Sequence, residues 1–273
     1  MSESAVESFR ALHASGCFVL PNPWDRGSAV YLKHLGFKAL ATTSAGFAFS
    51  RGLPDEPDVM VVDDVLAHVR DIVQATELPV NADFQNGYAD DPEAVTENVA
   101  RCIATGVAGL SIEDATGNSA TPLYDIQLAV ERIKAARRAI DASGIPVVLT
   151  GRCEAWFIGY PNAFAVSLER LIAYSEAGAD CLYAPGVTDP GEIDAIVKAV
   201  SPKPVNVLVW RPEPNMTVAK LADLGVRRIS VGAALARVAW GSFMRAAQSI
   251  ATTGSFDALG EAAAAAELNR IFQ

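Results

Sequence analysis

Basic residues are scarce in this chain. Its 22 lysines and arginines face 32 aspartates and glutamates, a formal net charge of −10. A phosphate-backbone partner draws on clustered lysine and arginine, so the balance argues against nucleic acid. It leaves open a small anionic substrate, which needs only one local cation. Charges interrupt every apolar run before about 18 residues, so no bilayer-spanning segment and no membrane partner are expected. The start, Met1–Phe9, lacks a basic region followed by an apolar core, so no secretory signal is expected. Four cysteines (Cys17, Cys102, Cys153 and Cys181) show neither metal-ligand spacing nor a secreted context. Reduced thiols in a cytoplasm are the expectation. No Gly-x-Gly-x-x-Gly follows the first strand, against a dinucleotide-binding open sheet. No linker-like tract interrupts the 273 residues, and one domain, 1–273, is expected.

What is present is a repeat of strand, helix and glycine. Residues Ser4–Ser15 alternate at helical spacing, and Cys17–Leu20 follows as a buried strand. Helix-like Arg26–Leu35 leads to a second strand, Lys38–Thr43. Further strands are expected at Val80–Asp83, Gly109–Glu113, Val147–Arg152, Asp180–Ala184, Val205–Val209 and Arg228–Val231. Gly106, Gly144, Gly178 and Gly225 stand just ahead of several of them. Strand and helix alternating eight times predict parallel pairing with right-handed crossovers, hence an α/β (β/α)8 TIM barrel. Ala233–Thr253 and Phe256–Phe272 read as two more helices. The alanine run Ala262–Ala266 falls inside the second because alanine is the best helix former. One helix closes the barrel; the surplus C-terminal one packs on a neighbouring subunit or on its own barrel.

In such a barrel, chemistry collects at the carboxyl ends of the strands. Alternation places Asn81, Asp83 and Gln85 on one face, Ser111 and Glu113 on another, and Thr150, Arg152 and Glu154 on a third. Asn206 and Leu208 share a face on the seventh strand. Two inward carboxylates, Asp83 and Glu113, repel unless a cation sits between them. Arg152 or a divalent metal fills that role. Magnesium fits better than zinc, because the ligands on offer are oxygens and His13, His34 and His68 all fall on helices. The small residues Ser44-Ala45-Gly46 end the second strand and allow backbone N–H groups to approach a ligand oxygen. Asp55, in Gly52-Leu53-Pro54-Asp55, lies on a loop able to fold over the mouth. Trp24 and Asp25 line the pocket or pack at its rim. Alternation turns Cys153 away from Arg152, toward the helix layer, as a small buried hydrophobe.

These residues resemble the isocitrate lyase and phosphoenolpyruvate mutase superfamily over nearly the whole chain. Asp83-Phe84-Gln85-Asn86-Gly87-Tyr88 has the form of its metal strand, Asp-x-(Asp/Glu)-x-Gly-(Tyr/Phe). The resemblance implies Asp83 as direct magnesium ligand (manganese as substitute), with Glu113 water-mediated and Asp55 as the loop aspartate. It implies Ser44, Ala45 and Gly46 as the binding turn for the 2-oxo acid, and Arg152 as the group that grips substrate. Asn206 matches a polar position on the seventh strand, and Tyr88 joins Glu113 as a candidate proton shuttle. The family also implies a homo-oligomer, a dimer or a tetramer with an exchanged terminal helix.

Two departures bear on function. Gln85 stands where a second carboxylate is usual, which removes one negative charge beside the metal. The loop Ala115–Tyr124 lacks the Lys-(Lys/Arg)-Cys-Gly-His of isocitrate and methylisocitrate lyases and the Lys-x-Asn-Ser of phosphoenolpyruvate mutases. Asn118 and Ser119 touch substrate or serve a plain turn. The implied activity is a magnesium-dependent carbon–carbon lyase or decarboxylase. Its substrate is a small 2-oxo or 2-hydroxy dicarboxylate, such as oxaloacetate or a methylisocitrate- or malate-like acid, cleaved through a pyruvate enolate. The alternatives are a phosphonopyruvate-type phosphonomutase, similar to carboxyvinyl-carboxyphosphonate phosphorylmutase, or a hydrolase, and a non-catalytic 2-oxo acid binding barrel.

Overall fold

Eight parallel strands form the centre of the computed structural model, which describes residues 4–56, 59–214 and 216–273. In chain order the elements are α1 (Ala5–Ala14), β1 (Phe18–Leu20), α2 (Arg26–His34), β2 (Leu40–Ala41), α3 (Ser44–Ser50) and α4 (Val62–Val73). Then come β3 (Val80–Asp83), α5 (Pro92–Ile103), β4 (Gly109–Glu113), α6 (Ile126–Ser143), β5 (Val148–Arg152) and α7 (Ala163–Glu176). The last are β6 (Cys181–Tyr183), α8 (Pro190–Val200), β7 (Val205–Leu208), α9 (Val218–Asp223), β8 (Arg228–Ser230), α10 (Ala234–Thr253) and α11 (Ala265–Ile271). The sheet runs β1-β8-β7-β6-β5-β4-β3-β2. Across the seam, the Ala41 N–H donates to the Pro21 carbonyl at 3.0 Å. This is a nearly closed (β/α)8 barrel.

Local chemistry sets the helix starts. Asp91-Pro92 and Asp189-Pro190 open α5 and α8 alike: the carboxylate accepts N–H groups of the first turn, and proline at the first position has no N–H to lose. Such a cap contributes about 1 kcal/mol. Gly144 ends α6 in the left-handed conformation (φ +68°) that a side chain disfavours. Apolar residues of the strands and helix faces pack into one layer between sheet and helices. At the amino-terminal end of the barrel, Phe9 of α1 packs with Leu20, Ala41, Ala108, Val148 and Cys181, so α1 plugs the floor.

The structure trims several expected strands. β2 is two residues long because Thr43 already caps α3, its side chain accepting the Gly46 N–H. Ser44-Ala45-Gly46 is therefore a helical first turn, not a loop. The span Phe256–Phe272 is not one helix. A 3-10 turn, Asp257–Glu261, precedes α11, and Ala262 and Ala264 are extended between them. The alanine run offers no apolar face to bury, so propensity alone does not hold it. The chain instead bends to bring the Phe272 ring near Gly27 on α2. α10 has one buried residue, Ala236, and leaves Val238, Phe243 and Met244 more than 60% exposed. No described helix is long and apolar enough to cross a membrane.

Candidate active site

Three adjacent strand ends bring the charged groups together. The sheet register pairs Asp83 with Ser111 and Glu113 with Arg152. Arg152 lies between the acids: Nη1 is 3.1 Å from Asp83 Oδ1 and 3.2 Å from Glu113 Oε2, and Nε pairs with Glu154. The Tyr183 ring lies 5.2 Å from the guanidinium carbon. Asp83 is fixed from its other side, where the Ser44 N–H and hydroxyl donate to Oδ2 at 2.9 and 3.0 Å. Its own N–H donates to Thr42 Oγ1.

Burial and like charge act together on these acids. Burial lifts Glu113 well above the usual carboxylate range, with Glu154 and Asp83 adding to it and Arg152 opposing. Glu154 is raised by burial, against the pull of Arg152. Asp55 is raised by burial and then by Asp83, which places the loop aspartate in the same field. Burial disfavours the Arg152 cation, yet Glu154 and Glu113 outweigh it and hold the guanidinium charged. Tyr88 is raised well above its ordinary value by burial, then by Asp83 and Glu113.

A cavity of about 320 Å³ opens beside the cluster, bordered by Ser44, Ala45, Asp55, Asp83, Arg152 and Asn206. A second hollow borders Gln85, Tyr88, Glu113 and Ala115–Gly117. The expected residues thus divide between two spaces joined by the Arg152–Glu113 pair. Gly46 and Trp24 border neither: Gly46 is buried, with Trp24 packed behind it. The Gly46 N–H donates to Thr43 Oγ1 and is spent on the cap. Gln85 does not share the Asp83 face by alternation. The strand ends at Asp83, and Gln85 takes φ +41°, its carbonyl accepting the Glu113 N–H at 2.9 Å.

Asn206 donates one amide N–H to Ser230 Oγ and accepts from Arg228 Nε, both at 3.0 Å, which leaves its second N–H over. Sequence reasoning missed Arg228, which enters the barrel interior and also donates to Thr150 Oγ1 at 2.9 Å. The signal was present: a lone arginine on a strand, two residues before Ser230 on the same face. Its Nη1 lies 3.3 Å from His13 Nε2, and burial, then Arg228, push that imidazole down to about 3. A neutral ring fits, with Nδ1 on the Phe9 carbonyl. Also missed was the buried support under the cluster. Asp114 accepts the Glu154 N–H (2.8 Å), Arg170 Nη1 (3.1 Å) and the Tyr174 hydroxyl (2.6 Å). Cys153 is buried and lies 3.4 Å from Ser167 Oγ on α7, in the helix layer as expected.

The loop Ala115–Tyr124 is tied to itself. Ala115 bridges Leu123, Thr116 N–H donates to the Pro122 carbonyl, and Asn118 Oδ1 accepts the Ala120 N–H. Asn118 and Ser119 are exposed and border neither cavity, so the plain turn is what is found.

Among the described residues, no three His, Cys, Asp or Glu side chains form a ready-made metal cage. The donor set nevertheless fits a hard, hydrated cation. Its ligands are oxygens only, and four acids (Asp55, Asp83, Glu113 and Glu154) crowd one guanidinium, with three of them held above their ordinary pKa. Magnesium keeps several waters and asks for only one or two direct carboxylates.

Residues 9–251 match the family model for phosphoenolpyruvate phosphomutase. An uncharacterized Mycobacterium tuberculosis protein is 34% identical over 226 residues, 82% of this chain and 81% of that one. The 2-methylisocitrate lyase of Escherichia coli is 29% identical, covering 72% and 68%. An oxaloacetate decarboxylase of Rhodopseudomonas palustris is 28% identical, covering 76% and 70%. Among solved structures, an inferred lyase/mutase from Burkholderia cenocepacia is 46% identical, with TM-score 0.93 over 98% of this chain and 95% of that one. An inferred phosphonomutase from the same organism is 35% identical, with TM-score 0.79 over 90% and 99%. With the barrel and the family model in agreement, the chain belongs to the phosphoenolpyruvate mutase/isocitrate lyase superfamily of lyases and mutases.

Proposed function

We propose that this protein is a divalent-metal-dependent carbon–carbon lyase for a small 2-oxo or 2-hydroxy dicarboxylate. Decarboxylation of an oxaloacetate-like acid is the first candidate. Asp83 would hold magnesium or manganese directly, with Glu113, Asp55 and Gln85 on its waters. When bound, the cation supplies positive charge beside an oxygen that becomes negative.

This chain's own residues supply the rest. Arg152 spends Nε and Nη1 on the three acids. Nη2 is then assigned to the substrate carboxylate, which guanidinium grips better than an ammonium does. Ser44 and Asn206 orient the 2-oxo acid from the opposite walls. Breaking the C3–C4 bond releases carbon dioxide and leaves its electron pair on the C2 oxygen as an enolate; a proton then returns to C3. Glu113, raised by burial against the pull of Arg152, and Tyr88, both on the adjoining hollow, are the titratable groups assigned to return that proton.

The observation that carries decarboxylation is the loop. Releasing carbon dioxide needs no acid on the leaving group, and Ala115–Tyr124 supplies none. Its polar side chains are exposed or spent on its own turn, and the hydroxyl of the buried Tyr124 is held by Asp90 and Asn86. Cleavage to an aldehyde or a second oxo acid asks for a proton donor there. The phosphonomutase relative favours a second reading, transfer of phosphorus between carbon and oxygen. The acid-rich mouth weighs against a phosphonate dianion. We further infer a homo-oligomer that covers the exposed apolar side of α10.

The test is pyruvate release, with magnesium, from oxaloacetate, methylisocitrate, substituted malates and phosphonopyruvate. Release from a dicarboxylate supports the proposal. Tight oxalate binding without turnover of any candidate refutes catalysis, and phosphonate isomerisation without pyruvate release moves the assignment to the mutase.

A further inference from the structure

The acidic wall of the 320 Å³ cavity is only one side of it. The opposite wall is Leu208 and Trp210 at the end of β7 and Arg237 on α10, joined by Phe157 from the segment after β5. Two guanidiniums lie against the Trp210 indole, Arg211 at 5.0 Å and Arg237 at 5.5 Å from the ring centroid. Their situations differ. Arg211 is neutralised by Glu213, with Nε at 2.6 Å from Oε1. Arg237 makes no ion pair with any described carboxylate, although it borders a cavity whose far side is acidic. The ring quadrupole holds a cation over its face and limits the sweep of an otherwise exposed side chain. The Phe157 ring, edge-on to Trp210 at 6.2 Å, extends an apolar strip between Arg237 and the interior.

The cavity also has room beyond a pyruvate-sized acid. About 320 Å³ equals the volume of ~10 waters. The geometry points to Arg237, positioned by Trp210, as the reader of a distal anionic group on a substrate whose hydrocarbon segment lies along Phe157 and Leu208. This rests on the proposed function for the head of the substrate and adds its length and a further charge. The substrate class is then a 2-oxo acid that carries, besides the carboxylate lost from C3, another carboxylate several carbons along a C3 substituent, for which 2-oxoadipate is an unreactive binding probe. Neither Arg237 nor Trp210 stands in the sequence motif that marks the metal strand.

Three probes separate the two claims: oxalate, which offers the head alone, and the chain-matched pair 2-oxoadipate and 2-oxohexanoate, which differ in the terminal carboxylate. Calorimetric Kd values are measured with magnesium on the intact protein and on Arg237→Gln and Trp210→Leu. The expected result is that 2-oxoadipate binds about tenfold more tightly than 2-oxohexanoate, the scale of one charged hydrogen bond. Either substitution removes that preference and leaves oxalate unchanged. Equal affinity of the two keto acids for the wild-type protein, or a preference that survives in Arg237→Gln, overturns the subsite. If oxalate fails to bind while the preference persists, the head-group reading falls and the subsite stands. If no probe binds, both fall.

Discussion

Replacing Arg152 with methionine removes the one cation shared by Asp83, Glu113 and Glu154, which are largely shielded from solvent, and keeps most of the side chain's volume. Arg152, Asp83 and Glu113 are 15 to 17% exposed and Glu154 5%, so solvent screening is weak. Breaking a buried ion pair by deleting one partner costs about 3–5 kcal/mol, because the remaining charge loses its compensation. At ~2–4 °C per kcal/mol for a large domain, thermal unfolding should move down by about 10 °C. The loss should depend on pH. Glu113 and Glu154 already have folded-state pKa values above their unfolded ones, so folding takes up protons and the folded state is favoured as pH falls. Without Arg152 this tendency strengthens. The deficit should be largest at pH ~8, above the ordinary carboxylate range, and shrink at pH ~5 as the acids protonate. Magnesium should recover part of it, since a ligand at ~100 times its Kd stabilises by about 2.7 kcal/mol. Differential scanning fluorimetry at the two pH values, with and without magnesium, measures all three effects. A deficit that is the same at both pH values and indifferent to magnesium would mean that Arg152 acts by packing, and the electrostatic account would be wrong.

Two glycine substitutions test the packing around the site, and a third serves as control. A Cβ at Gly151, between Arg152 and Thr150, would meet Tyr174 Cβ at 2.9 Å and Ala179 Cβ at 3.2 Å, so Gly151→Ala should cost about 1–3 kcal/mol in urea unfolding. At Gly109 it would meet Asn81 Oδ1 and Phe9 Cε1, both at 2.6 Å, so Gly109→Ala should be equally destabilising and should loosen the α1 plug. Gly260→Ala meets nothing within 4 Å and should leave stability within about 0.5 kcal/mol of wild type.

The barrel was legible because its signal is repeated and local: apolar runs of strand length, each followed by a helical period. Strand alternation also sufficed for Asp83, Glu113 and Arg152, since all three lie within regular strands, and for Cys153 on the opposite face. It stopped working two residues past the end of β3. Gln85 sits in a left-handed turn, where the two-residue period no longer applies. Gly46 was read as part of a binding turn from its place after a strand, but the capping of α3 by Thr43 buries it, and of the two readings of Trp24 the structure shows packing behind Gly46. Arg228, Arg170 and Asp114 escaped notice for another reason. Their roles come from contacts across 22 to 78 residues of chain, which no local pattern encodes. The alanine run misled because propensity was weighed without a face to bury.

Manganese binding to Asp83 is read as loss of the free-ion signal in electron paramagnetic resonance. The wild-type protein should saturate at a single site, tightened by oxalate, and Asp83→Ala should lose that site while remaining folded. Unchanged manganese affinity in Asp83→Ala would mean that Asp83 holds no metal.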